Sequence, residues 1–244
     1  MVFESAQQIL YLITLIAAGF TALAGLSVVH RFTLKKTALS YSNVFVFIFA
    51  LLAFGYSCFA LAELTWYLIF EVFDQFPSVS MPDFYWVIGS VSLLIAFTTF
   101  SLYMFKQHKS LGKGSLFLFL GGAVFAGILY FALSGTVVDL SKGKGHLFLG
   151  YFYPIASALI LVASASVYLF FEKVEHFGKF LMYLLFANLA FFIGDVLYTY
   201  YSFKSVYGIT GVLSDVLYIA AYLLCTLAFV SILRKVKMQT ENRG

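Results

Sequence analysis

Charge is scarce in this chain. Only 11% of its 244 residues are Asp, Glu, Lys or Arg, against 62% hydrophobic. That excludes a soluble domain of ordinary composition and places the chain among membrane proteins. The longest polar stretch is the tail at 234–244, so no fused kinase, cyclase or nucleotide-binding module is expected. Cysteine is nearly absent: Cys58 and Cys225 sit inside apolar runs, without metal-ligand spacing, and read as packing residues. His30, His108, His146 and His176 lie at the ends of apolar runs or between them, and no two share a depth suited to haem or an intramembrane metal. There is no plausible Ser–His–acid or Cys–His set and no glycine-rich phosphate loop. The last apolar run also lacks a lysine for a retinal Schiff base. An enzyme, an opsin-type photoreceptor and a resident cofactor or metal are therefore not expected.

What is present is grease at membrane length. A hydrocarbon layer of about 30 Å needs roughly 20 apolar residues of helix. Seven runs qualify: 8–30, 44–70, 84–105, 115–133, 147–171, 180–201 and 212–233. They predict an all-α, multi-pass protein of the cell membrane. The start, MVFESAQQ, lacks the positive region of a signal peptide, so the first run is expected to be a retained helix.

The basic residues set an orientation. Arg31, Lys35 and Lys36 follow the first run; Lys106, Lys109 and Lys113 follow the third. Lys173 and Lys179 follow the fifth, and Arg234, Lys235, Lys237 and Arg243 occupy the tail. The other side carries Lys142, Lys144 and Lys204. The positive-inside rule then puts the amino terminus outside and the carboxyl terminus in the cytoplasm. The basic inner face reads as a topology signal and a contact for anionic membrane lipids, not as a nucleic-acid site.

An internal repeat organises the runs. Residues 52–98 align without gaps on 184–230, a shift that carries Glu63 onto Asp195, Asp83 onto Asp215, Trp66 onto Tyr198 and Trp86 onto Tyr218. The second and third runs thus correspond to the sixth and seventh. The first corresponds to the fifth, and 115–133 is left as a linker. The expected plan is a triplet at 8–105, a linker helix at 115–133, a triplet at 147–233 and a tail at 234–244. With one span between them the triplets are parallel, related by an axis along the membrane normal. Doubled sugar transporters and opsin-like proteins share this three-one-three plan, an analogy of fold that carries no function.

The acids are where chemistry begins. Glu63 lies about six residues past the middle of its run, roughly 9 Å toward the outside at 1.5 Å per residue, and Asp195 is similar. A carboxylate facing lipid costs about 2.5–3.5 kcal/mol even on the lenient scale. Both should therefore face the bundle interior. No Lys or Arg lies within the membrane runs, so the partners left are Tyr, Ser, Thr or Asn side chains, water, a bound cation or a retained proton. Two readings stand: a site for a guest, or carboxyls that merely tie helices together. Asp83 and Asp215 open their runs at the outer boundary, where an acid in a first turn caps free N–H groups. They are rim residues of a site or helix caps. Trp66 and Tyr67 sit at i+3 and i+4 from Glu63, Tyr198 at i+3 from Asp195, and Tyr222 two turns below Asp215. Carboxylates among aromatic rings favour a cationic or amphipathic guest; the same aromatics also suit an interfacial belt. Pro154 removes a backbone hydrogen bond in the outer half of the fifth run, either shaping the pocket or kinking the helix without consequence.

The segment FANLAFFIGDVLYTYYSFKSVYGITGVLSDVLYIAAYLLCTLAF, in the last quarter of the chain, resembles the end of the multi-helix membrane sensor regions that precede histidine kinases and diguanylate cyclases. Asp195, Tyr207-Gly208, Asp215, Tyr218 and Ala221-Tyr222-Leu223-Leu224 occupy that family's acid, Tyr–Gly loop, Asp, aromatic and Gly-Tyr-Leu-Leu positions, with alanine in place of glycine. The resemblance implies a sensing module that reports through a separate cytoplasmic or membrane signalling partner. The expectation is a receptor-like protein that binds a small ligand in an outward-facing cavity of Glu63, Asp195, Trp66, Tyr67, Tyr198 and Tyr222, with Asp83 and Asp215 at the rim and Pro154 shaping it. A transporter of small solutes or cations is the alternative. Its inner route would have to run through Asn188, Ser164, Ser166 and Thr98 or Thr99.

Overall fold

A computed structural model of the chain describes residues 2–34, 43–74, 79–107, 121–123, 125, 127, 129, 143–171, 177–204 and 208–241. Among them are six long helices: α1 (Val2–Leu34), α2 (Asn43–Tyr67), α3 (Met81–Gln107), α4 (Lys144–Phe171), α5 (Gly178–Lys204) and α6 (Ile209–Glu241). All six are long and apolar enough to cross a membrane. They match every expected run but 115–133, most of which lies outside the described residues. The described positions at 121–129 are helical, and Phe125 packs on Phe192 of α5 with ring centroids 5.5 Å apart. α6 continues through Glu241, so much of the stretch expected as a polar tail is helical.

Each helix packs on its neighbours in sequence, and α6 returns to α1, which closes a ring of six. Apolar side chains point outward: Leu23, Phe84 and Ile209 are 64%, 60% and 67% exposed. That is the arrangement a lipid surround favours, since polar groups gain only by turning inward. α2 ends in a π-helical turn, Leu68–Val72, closed by Phe73 N–H donating to the Leu68 carbonyl at 2.9 Å. Asp74 follows with a φ of 52°, a left-handed conformation that stops the helix. α2 and α3 cross where neither has a side chain. A Cβ on Gly89 would stand 2.5 Å from the Phe59 ring, and one on Gly55 would stand 3.1 Å from the Gly89 carbonyl. Such close approach is the usual work of small residues between membrane helices.

One half of the bundle is filled with phenylalanine. Phe45 stacks on Phe177 (5.6 Å) and Phe49 tilts onto Phe180 (5.4 Å). Phe180 meets Phe229 (6.1 Å), and Phe100 meets Phe45 edge-on (5.7 Å). These rings are all buried. The opposite half is different, because six helices converge there around space.

Candidate functional site

A central cavity of about 90 Å³ lies in that half and takes lining residues from all six helices. The second half of α2 supplies Phe59, Glu63 and Trp66; α5 supplies Asn188 before its midpoint, Phe191 at it, and Asp195, Tyr198 and Tyr201 beyond it. The first halves of α1, α3, α4 and α6 complete the wall, through Tyr11 and Thr14, Trp86 and Ser90, Tyr153 and Ser157, and Asp215, Tyr218 and Tyr222.

Helical spacing explains the wall. Phe59, Glu63 and Trp66 follow one another at i+4 and i+3, as do Asn188, Phe191, Asp195 and Tyr198 at i+3, i+4 and i+3. Each set forms a single stripe facing one neighbour space. The two acids expected to look inward do so. The Tyr222 hydroxyl donates to Glu63 Oε1 at 2.8 Å, and the Tyr218 hydroxyl donates to Asp195 Oδ1 at 2.8 Å. Trp86 also hydrogen-bonds to Glu63, so Trp86 and Tyr218, equivalent under the repeat, serve equivalent acids. Ser157 lies between the Tyr153 carbonyl, 2.9 Å from its Oγ, and the Asp195 carboxyl. Its one proton serves one of them at a time.

Asp215 lines the same cavity, 4% exposed and within electrostatic reach of Glu63, as is Asp195. Three carboxyls therefore share one space, and among the described residues that line it there is no Lys, Arg or His. An aromatic collar surrounds them. Trp66 tilts against Trp86 (5.5 Å) and meets Tyr11 edge-on (6.3 Å). Trp86 meets Tyr153 (6.1 Å), and Tyr198 meets Tyr201 (5.2 Å).

Asp215 lies deeper than expected, Asp83 takes the helix-cap alternative of its two expected roles, and Tyr67 and Pro154 lie outside the cavity lining. Asp215 does not open its helix: α6 begins at Ile209, which sets the acid in the second turn, where it cannot cap the first N–H groups. Asp83 lies outside the cavity lining and closes a capping box. Its Oδ2 accepts from the Ser80 N–H (2.7 Å) and the Ser80 hydroxyl (3.0 Å). Its other oxygen accepts from the Tyr153 hydroxyl at 2.7 Å, which ties α3 to α4. Tyr67 is absent from the lining and half-buried at the start of the π turn. At about 100° per residue it cannot share the narrow stripe that Trp66 occupies. Pro154 is buried but outside the lining, between Tyr153 and Ser157, which do reach the cavity.

Sequence reasoning missed Tyr11, Tyr153 and Ser157. It searched around the acids of four runs, and these residues come from the first and fifth runs, which have none. Their signal was present: tyrosine in a membrane run needs a partner for its hydroxyl. Asn188, expected in the inner half, does lie in the first half of α5 and also lines the cavity; it is 2% exposed, and its Nδ2 has no hydrogen-bond partner. Three of the other candidates for an inner route are engaged or point away, and Thr99 is half-buried. Ser164 donates to the Leu161 carbonyl (2.9 Å), Ser166 donates to the Val162 carbonyl (2.8 Å), and Thr98 is exposed. Comparison with protein-family models, with curated proteins and with solved structures found no match.

Proposed function

We propose that the chain is a multi-pass membrane sensor that binds a small cation in this cavity and reports its occupancy through the cytoplasmic helix ends to a separate signalling partner. The observation that carries the reading is the gathering of Glu63, Asp195 and Asp215 in one aromatic-walled space without a cationic side chain among its lining residues. Buried anionic charge needs compensation, by a proton or by a positive guest. Carboxylates and ring faces both attract the guest. Size favours a small one: about 90 Å³ is less than the roughly 150 Å³ of an engineered cavity that takes benzene. A long-tailed amphiphile does not fit that space.

Orientation and repeat enter as part of the same proposal. Arg31, Lys179 and Arg234 lie toward the phenylalanine end of their helices, so the positive-inside rule turns the cavity outward, with the amino terminus outside. Tyr153 near the start of α4 bonds Asp83 near the start of α3, which supports parallel α3 and α4 and a linker helix between them. Phe45 meets Phe177, and Phe59 meets Phe191 (5.8 Å). Both pairs join residues 132 apart, as expected for two parallel triplets about an axis between α2 and α5. Gly55 and Gly89 have fully buried Ala187 and Ala221 as their equivalents. A guest that favours one packing of the triplets over another would shift the population. The resemblance to membrane sensor regions agrees with this role.

Transport by two rocking triplets is the second reading, and it needs a path through the phenylalanine half. Thermal unfolding of the purified protein with a panel of small ammonium ions tests binding, and flux of the same ions into proteoliposomes separates the readings. The sensor reading predicts a ligand-dependent rise in Tm, its loss in Glu63→Gln/Asp195→Asn, and no flux. A rise that survives the double substitution means that the guest binds elsewhere.

A further inference from the structure

The cavity has a charge requirement that a single ammonium does not meet. Glu63 and Asp195 stand at equivalent positions of the repeat, each fastened on one side by a hydroxyl, from Tyr222 and Tyr218 respectively, at 2.8 Å. A carboxylate offers about four acceptor sites, so each retains capacity toward the cavity. One monovalent guest between them leaves the second carboxyl uncompensated, and Asp215 adds a third acid to the same space, whose described lining contains no basic side chain; a dication cuts the shortfall of positive charge from two to one. A second observation also points to a ligand. Asn188 lines the cavity one turn from Phe191, is 2% exposed, and has an amide nitrogen with no hydrogen-bond partner. A half-turn of that amide presents its oxygen, an acceptor for an ammonium N–H.

We infer that the guest is a short aliphatic dication, an α,ω-diamine held between the equivalent carboxylates Glu63 and Asp195. The inference rests on the proposed cation site and narrows its ligand class. An extended chain of a few methylenes with an ammonium at each end matches a site whose two acids are related by the repeat. Methylenes suit the wall of Phe59 and Phe191, while the ammonium groups take the acids. Scaled from the roughly 150 Å³ that holds the six carbons of benzene, a space of about 90 Å³ admits on the order of four non-hydrogen atoms. That corresponds to a spacer of about two carbons, or three where one end of the guest reaches into the open side of the cavity.

The test is a comparison of 1,3-diaminopropane with n-butylamine, in which a methyl replaces one ammonium at equal size. Binding to the full chain in lipid nanodiscs is measured by calorimetry near neutral pH. The diamine is expected to bind about ten- to a hundredfold more tightly, the gain of one further charge-assisted contact. Glu63→Gln and Asp195→Asn, each alone, are expected to bring the diamine close to the butylamine value. Equal affinities for the two amines in the unaltered protein overturn the dication inference and leave the acidic cation site standing. If neither amine binds, both fall. The unaltered protein decides between these outcomes even where a variant fails to fold.

Discussion

Phe45, Phe49, Phe100, Phe177, Phe180 and Phe229 meet ring to ring in one half of the bundle, and none of them lines the central cavity. In the other half the aromatics are mostly Tyr and Trp, and a cavity opens between them. The contrast follows from side-chain chemistry. A phenylalanine in a membrane protein gains by dispersion contacts and is best served by close packing. A buried tyrosine or tryptophan must also bring its O–H or N–H to an acceptor. Glu63, Asp195 and Asp83 supply acceptors to Tyr222, Tyr218 and Tyr153. Hydrogen bonds fix those rings at angles that dispersion alone would not choose, and space is left between them. One half holds the helices together; the other holds them apart around carboxyls.

The comparison can be broken most forcefully in the packed half. Phe229 is fully buried, with Tyr56 at 5.8 Å and Phe180 at 6.1 Å. Phe229→Ala is expected to cost about 3–5 kcal/mol, read as earlier unfolding in a denaturant titration, with the ligand response of the surviving folded protein unchanged. A loss below about 1 kcal/mol would mean that this half is not the packed one. Tyr222→Phe sharpens the contrast with a smaller effect. It keeps the ring contact with Phe191, at 5.0 Å, and removes the donor to Glu63, so stability is expected to fall by about 1–3 kcal/mol. The substitution should also change the response to ammonium ions, which the Phe229 change should not. If both variants behave alike toward ligand, the two halves are not functionally distinct.

Much of this was legible in the chain. Six of the seven apolar runs are helices long enough to span a membrane, the described positions of the seventh are helical too, and the inward turn of Glu63 and Asp195 followed from the cost of a carboxylate in lipid. Tyrosine hydroxyls were among the partners expected, because no intramembrane Lys or Arg was available. The failures have physical causes. Hydropathy placed the start of the last run at Val212, but Thr210 and Gly211 do not stop a helix that begins at Ile209, so Asp215 came out one turn too shallow. Asp83 and Asp215 look equivalent in the alignment, yet Ser80 draws one into a capping box, while the other faces the cavity. Trp66 and Tyr67 are both near Glu63 in sequence, but only one can lie on the stripe. Contributions from α1 and α4 were invisible to a search centred on acids, since neither helix carries an acid within its span. The division between halves was written as Phe against Tyr, a difference that hydrophobicity scales flatten.

The most direct measurement asks which half is wet. In a background with Cys58 and Cys225 replaced by alanine, Ser90→Cys and Ser157→Cys on the cavity wall and Phe229→Cys in the packed half, each alone, are exposed, in proteoliposomes, to a small membrane-impermeant thiol reagent with and without an ammonium ion. The account predicts modification at 90 and 157, slowed by the ion, and none at 229. Equal reactivity at all three positions, or protection at none of them, would contradict it.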